Sequence, residues 1–142
     1  MAQIKLSVIV DAPPERIYPL IATPGGLAQW WAADVTESDG AVVLGFFKRS
    51  TVYRVQLVRS TGTREVEWRC LSGKEWEGTR LLFDLTANTG ATLLRFTHAD
   101  WKAETDYFVS CTATWGELMY RLKATAEGKA PGPLFSAAGM AY

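Results

Sequence analysis

Residues 105–127, TDYFVSCTATWGELMYRLKATAE, fix the architecture of this chain. Phe108, Cys111, Trp115, Leu118 and Leu122 recur at steps of three and four, which places them in one apolar stripe of a long helix. Glu104 and Asp106 stand near its start, and Arg121 and Lys123 near its end, the order that the helix dipole favours. Gly128 is suited to the left-handed residue that closes a helix, and Pro131 and Pro133 prevent continuation. A stripe of this length needs an apolar surface to cover, and that surface has to come from upstream.

Upstream the period changes from 3.6 to two. Strands are predicted at 41–47, 51–59, 64–70, 79–86 and 91–98. Turn residues separate them at Lys48-Arg49-Ser50, Ser60-Thr61-Gly62, Ser72-Gly73 and Asn88-Thr89-Gly90, so the strands should form an antiparallel meander. Strand alternation sends Val66, Trp68 and Cys70 to one face and Glu65, Glu67 and Arg69 to the other. The same rule turns Tyr53, Val55 and Leu57 inward, then Leu81, Phe83 and Leu85, then Leu94, Phe96 and His98.

The first segment, residues 3–10 (QIKLSVIV), also reads as a strand, with Ile4, Leu6, Val8 and Val10 on one face. Asp11 or Ala12 should cap a helix that Pro19 keeps short or kinked, with Ile17, Leu20 and Ile21 inside. Thr23-Pro24 repeats the cap-plus-proline device, and the helix through Trp31 must be held by packing because Gly25-Gly26 weakens it. Residues 129–142 are Gly- and Ala-rich and should be loosely ordered, anchored by Leu134 and Phe135. The expectation is one unit spanning 1–142, with a core of about 3–128 and a tail of 129–142.

Composition narrows the function. The chain has 142 residues, enough to bury a core without a staple. Fifteen basic residues balance fifteen acidic ones, and no basic patch of the kind nucleic acid requires is visible. No apolar run approaches the ~20 residues that span a bilayer, and no export signal is apparent, so a cytoplasmic location with no membrane insertion is expected. Cys70 and Cys111 fit reduced, buried thiols; a Cys70–Cys111 bridge is the alternative. One histidine and two distant cysteines are too few for a zinc site, and no serine stands in a nucleophile elbow, so no metal and no cofactor are expected.

Four segments carry a family resemblance: residues 11–18 (DAPPERIY), 23–31 (TPGGLAQWW), 78–85 (GTRLLFDL), and Trp115-Gly116-Glu117-Leu118 with Leu122-Lys123. Their order resembles the START-like superfamily, also called SRPBCC, in the branch related to the activator of the ninety-kilodalton heat-shock-protein ATPase. The resemblance covers about residues 3–135. It implies an α+β helix-grip fold, a curved antiparallel sheet wrapped around a long C-terminal helix, with two short helices after the first strand. Relatives in this superfamily include lipid carriers, hormone receptors, cyclases and co-chaperone domains, so fold alone does not choose a function.

Six Trp, five Tyr and six Phe are a heavy aromatic load for cores, interfaces or pockets. The expected ligand wall is Trp30, Trp31, Trp68, Phe83, Phe96, Phe108, Cys111, Trp115 and Met119, with Tyr53, His98 and Thr112 as polar contacts. Trp30 and Trp31 point about 100° apart, so one can enter the core while the other lines a cavity mouth. Trp76, on a loop between two acids, is read as pinned over the pocket. The leading function is non-catalytic binding of a small, mainly apolar or aromatic molecule between sheet and helix. A cyclase- or dehydratase-type enzyme is the first rival; it needs His98 as base and Tyr53 as acid on one cavity. A co-chaperone-like or regulatory interaction module is the second, and needs an exposed apolar patch. A homodimer or protein partner is left open.

Overall fold

The computed structural model describes residues 2–141; Met1 and Tyr142, the ends of the expected unit, lie outside the described residues. Strand β1 (Ala2–Val10) leads into helices α1 (Pro14–Ala22) and α2 (Pro24–Trp30). Six strands follow: β2 (Asp34–Ser38), β3 (Ala41–Phe46), β4 (Thr51–Thr61), β5 (Glu65–Ser72), β6 (Arg80–Asn88) and β7 (Ala91–Trp101). Helix α3 (Asp106–Ala126) and a small hairpin, β8 (Phe135–Ser136) with β9 (Gly139–Met140), complete the chain. Seven strands form one antiparallel sheet in the order β1-β7-β6-β5-β4-β3-β2, and α3 packs on one face of it. This is the helix-grip arrangement. Among the described residues, no helix is long and apolar enough to cross a membrane.

The period-two segments became strands because their inward residues share one core. Val66, Trp68, Cys70, Leu81, Phe83, Leu85, Leu94 and Phe96 are all buried beneath Phe108, Trp115, Leu118 and Leu122 of α3. The helix is closed at both ends by local chemistry. Thr105 Oγ1 accepts the Phe108 amide at 3.2 Å. Gly128, at φ +89°, lets the Gly128 and Lys129 amides reach the carbonyls of Thr125 and Ala124, which satisfies the last turn.

Five expectations are corrected. Neither Asp11 nor Ala12 caps α1: Pro13 occupies that position, and the Asp11 amide instead donates to Glu127 Oε2 at 2.7 Å. Leu57 is 39% exposed, because register shifts around it detach the far half of β4 from the inward alternation. The pair Gly25-Gly26 is more than a weakness in α2. A Cβ on Gly26 would strike the Pro19 carbonyl, so glycine lets α2 pack against α1, whereas Gly25 has open space. Strand β2 was not anticipated. The tail is ordered rather than loose: the Arg121 guanidinium donates to the carbonyls of Pro131 (3.3 Å), Gly132 (2.9 Å) and Ala141 (3.0 Å), and Leu134 and Phe135 are buried.

Candidate functional site

A cleft of about 200 Å³ opens where α3, the end of β3, the start of β4, the 73–78 loop and the tail meet. Its floor is aromatic. The Tyr53 and Trp76 rings stack with centroids 3.9 Å apart and planes within 4°. Trp76 lies 5.8 Å from Trp115, which lies 5.1 Å from Trp31. Gly73 makes the first of these stacks possible: at φ +123° it has no side chain to collide with the Tyr53 ring. Phe46, Leu118, Phe135 and Met140 extend the apolar wall, and Thr51, Ser110, Cys111 and Thr114 supply small polar edges.

The rim is shaped by an unusual turn. Phe47, Lys48 and Arg49 all have positive φ, between 52° and 66°, a region costly for residues with side chains. The turn is held by Arg49, which donates two hydrogen bonds of 2.8 Å to the Asp34 carboxylate on β2. It swings Phe47 outward, 50% exposed, edge-on to Phe135.

Five of the sequence-derived candidates meet on this cleft: Trp31, Tyr53, Trp76, Cys111 and Trp115. The others do not line it. Trp30 and Trp68 are buried behind the cleft, with indole nitrogens donating to the carbonyls of Leu20 and Ile21, both at 2.8 Å. Phe83 and Phe96 pack on each other in the core, Phe108 packs edge-on to Trp101, and Met119 is buried. Thr112, expected to be buried, is exposed and donates back to the Phe108 carbonyl at 3.1 Å. Its position one step from Cys111 turns it around the helix toward solvent. The volume is also below the ~300–1,000 Å³ expected from general experience of ligand sites.

His98 faces inward as alternation predicts, but it is fully enclosed. Strand β7 continues three residues past it, and it is wholly buried between Ile4 of β1 and Leu81 of β6. The Trp115 indole donates to its Nδ1 at 3.1 Å, so that nitrogen carries no proton. Its Nε2 therefore donates to Thr79 Oγ1 at 2.8 Å, and that hydroxyl donates to the Trp76 carbonyl at 2.6 Å. Burial drives its pKa down from 6.5 to about 3. Trp76 and Trp115 stand between this ring and the cleft, so His98 and Tyr53 do not converge on one cavity. Asp100, two residues further along β7, accepts from Arg80 Nε at 2.6 Å.

Burial raises both thiols, Cys70 to about 12, which makes them poor nucleophiles near neutral pH. Of the lining residues missed at first, Phe47, Lys74 and Met140 lie on turns or in the tail with no periodicity to reveal them, whereas Phe46, Thr51, Ser110 and Thr114 sit on β3, β4 and α3.

The family model described as "Activator of Hsp90 ATPase homolog 1-like protein" matches residues 11–127. No curated protein sequence matches significantly. Among solved structures, the Aha1 dimer from Colwellia psychrerythraea superposes with a TM-score of 0.81 at 25% identity, covering 91% of this chain and 98% of that one. CalU16 from Micromonospora echinospora gives 0.73 at 17% identity, covering 92% and 68%. DynU16, a protein of the dynemicin biosynthetic locus, gives 0.72 at 17% identity over 91% of this chain but 48% of its own.

Proposed function

The chain belongs to the activator of Hsp90 ATPase homolog 1-like family, and from that premise we propose that it binds a small, mainly apolar or aromatic molecule without transforming it. The observation that carries this reading is the cleft itself, about 200 Å³ with three tryptophans and a tyrosine on its floor. An apolar cavity of roughly 150 Å³ is enough for benzene, so one or two fused rings suit this volume. The enzyme alternative loses support because the only histidine is spent on Trp115 and Thr79 and lies behind the cleft. The free thiols of Cys70 and Cys111 fit a reducing compartment such as the cytoplasm.

The test is a filled cleft. Thr114 lines it from α3 and is only partly buried, so Thr114→Trp should occupy the space. Naphthalene-sized molecules should quench the tryptophan fluorescence of the parent and bind the variant at least about tenfold more weakly. Stability should change by no more than about 0.5 kcal/mol. Equal binding by both proteins would remove the cleft from consideration.

A second reading, a protein-interaction module that includes self-association, draws on the dimer of the Colwellia relative and on the exposed Phe47 at the rim. Failure of all small aromatic molecules to bind, together with a concentration-dependent mass that Phe47→Ser abolishes, would favour it.

A further inference from the structure

Resting on the binding reading above, we propose that the ligand of the cleft is an aromatic acid: its apolar body lies on Trp31 and Trp115, and its carboxylate lies at the Lys74 end. Two observations converge on that end. Lys74 is the charged side chain among the described residues that line the cleft, and it forms no ion pair there. Its Nζ sits over the Tyr107 ring, 4.9 Å from the centroid, held at the cleft by a cation–π contact. Its neighbour Glu75 accepts the Thr105 hydroxyl at 2.5 Å and does not line the cleft.

The second observation is an unused donor. Trp76 is 4% exposed and lines the cleft, yet its Nε1–H has no hydrogen-bond partner among the described residues. Trp76, Cys111 and Lys74 line the same cleft. A buried donor left unpaired is costly, and an oxygen acceptor placed beside it removes the cost. A cation without an ion pair and an indole N–H without a partner, both on residues that line one cleft, favour a ligand oxygen that bears negative charge. The rest of the wall carries no second charge: Phe46, Leu118 and Phe135 are apolar, and Thr51, Ser110 and Thr114 are neutral. One anionic group on a hydrocarbon body therefore fits, and a dianion or a cation does not.

Three probes of one shape separate the possibilities: 2-naphthoate, 2-naphthylmethanol and 2-naphthylmethylammonium, each titrated against the native protein by tryptophan quenching and calorimetry. The acid should bind about 3- to 10-fold more tightly than the alcohol, the range expected of a partly solvated ion pair supported by one hydrogen bond. The ammonium should bind most weakly. The preference should shrink as salt rises, since Lys74 is exposed. Lys74→Gln should reduce acid affinity to that of the alcohol and leave the alcohol unchanged, while Lys74→Arg should retain the preference. Equal binding of acid and alcohol, or a preference that survives Lys74→Gln, overturns the anionic head and leaves the cleft as a neutral binding site. Binding of none of the three overturns the site together with its ligand.

Discussion

The two ends of the space between sheet and helix obey different rules. Toward α1 and α2 the indoles of Trp30 and Trp68 are buried and each donates to a carbonyl at 2.8 Å, and Phe83 fills the space between sheet and helices. Toward the 73–78 loop the indoles of Trp76 and Trp101 are equally buried, yet neither nitrogen has a partner among the described residues. Trp115 stands at the junction, bonded to His98 on one side and lining the cleft on the other. Where strand alternation and helical stripe agree, packing is complete and polar groups are paired. Where left-handed turns at Phe47–Arg49 and Gly73–Lys74 route the chain, volume and an unpaired donor remain. Such a region is shaped by something other than stability.

The junction residue gives the largest expected effect. Trp115→Ala should cost about 3–5 kcal/mol, the usual loss for emptying a large aromatic site, and it also strips His98 Nδ1 of its donor. A denaturation midpoint equal to that of the parent would mean that the filled end does not depend on this ring.

Acid should act next, through His98 at the junction. The folded His98 resists protonation down to about pH 3, whereas the unfolded imidazole accepts a proton near 6.5. Stability is therefore fully present above 6.5 and falls as pH drops toward 3, by up to about 1.4 kcal/mol per unit. Urea midpoints at pH 7, 6 and 5 should decline accordingly, a loss near 2 kcal/mol at pH 5. Because there is one histidine, its proton resonance can be followed directly and should not titrate between pH 7 and 4.5. A midpoint near 6.5 would mean that water reaches the ring.

The finest test sets one indole against another. Trp68→Phe and Trp76→Phe remove the same atoms, but the first leaves the Ile21 carbonyl unpaired and the second deletes a donor that has no partner. The first should be more destabilising by about 1–3 kcal/mol in equilibrium unfolding. Equal losses would erase the distinction between the two ends.

This contrast also explains what could be read from the amino-acid order. Strands β4 to β7 and helix α3 were legible because one face of each is buried and its period survives, and β3 as a short apolar run between turns. Strand β2 was not, since Asp34–Ser38 is a polar edge strand with little to alternate. Parity correctly turned His98 inward but could not tell how far β7 extends, nor that Trp76 and Trp115 would stand between the ring and the cleft. The cleft was half legible for the same reason. Trp31, Tyr53, Cys111 and Trp115 sit on elements with periods, whereas Phe47, Lys74, Phe135 and Met140 arrive by turns whose dihedral angles leave no trace in hydropathy.

The pairing of the first strand with the last has a kinetic consequence. Strands β2 to β7 each pair with their sequence neighbours and can zip together hairpin by hairpin, with short loops to close. Strand β1 has no such neighbour: Ile4 must wait for His98 to be synthesised, extended and in place. Closing so long a loop is entropically expensive and slow, and α3 gains its full binding surface only afterwards. The fold should therefore assemble from its middle outward, with the hollow end complete only when the tail arrives.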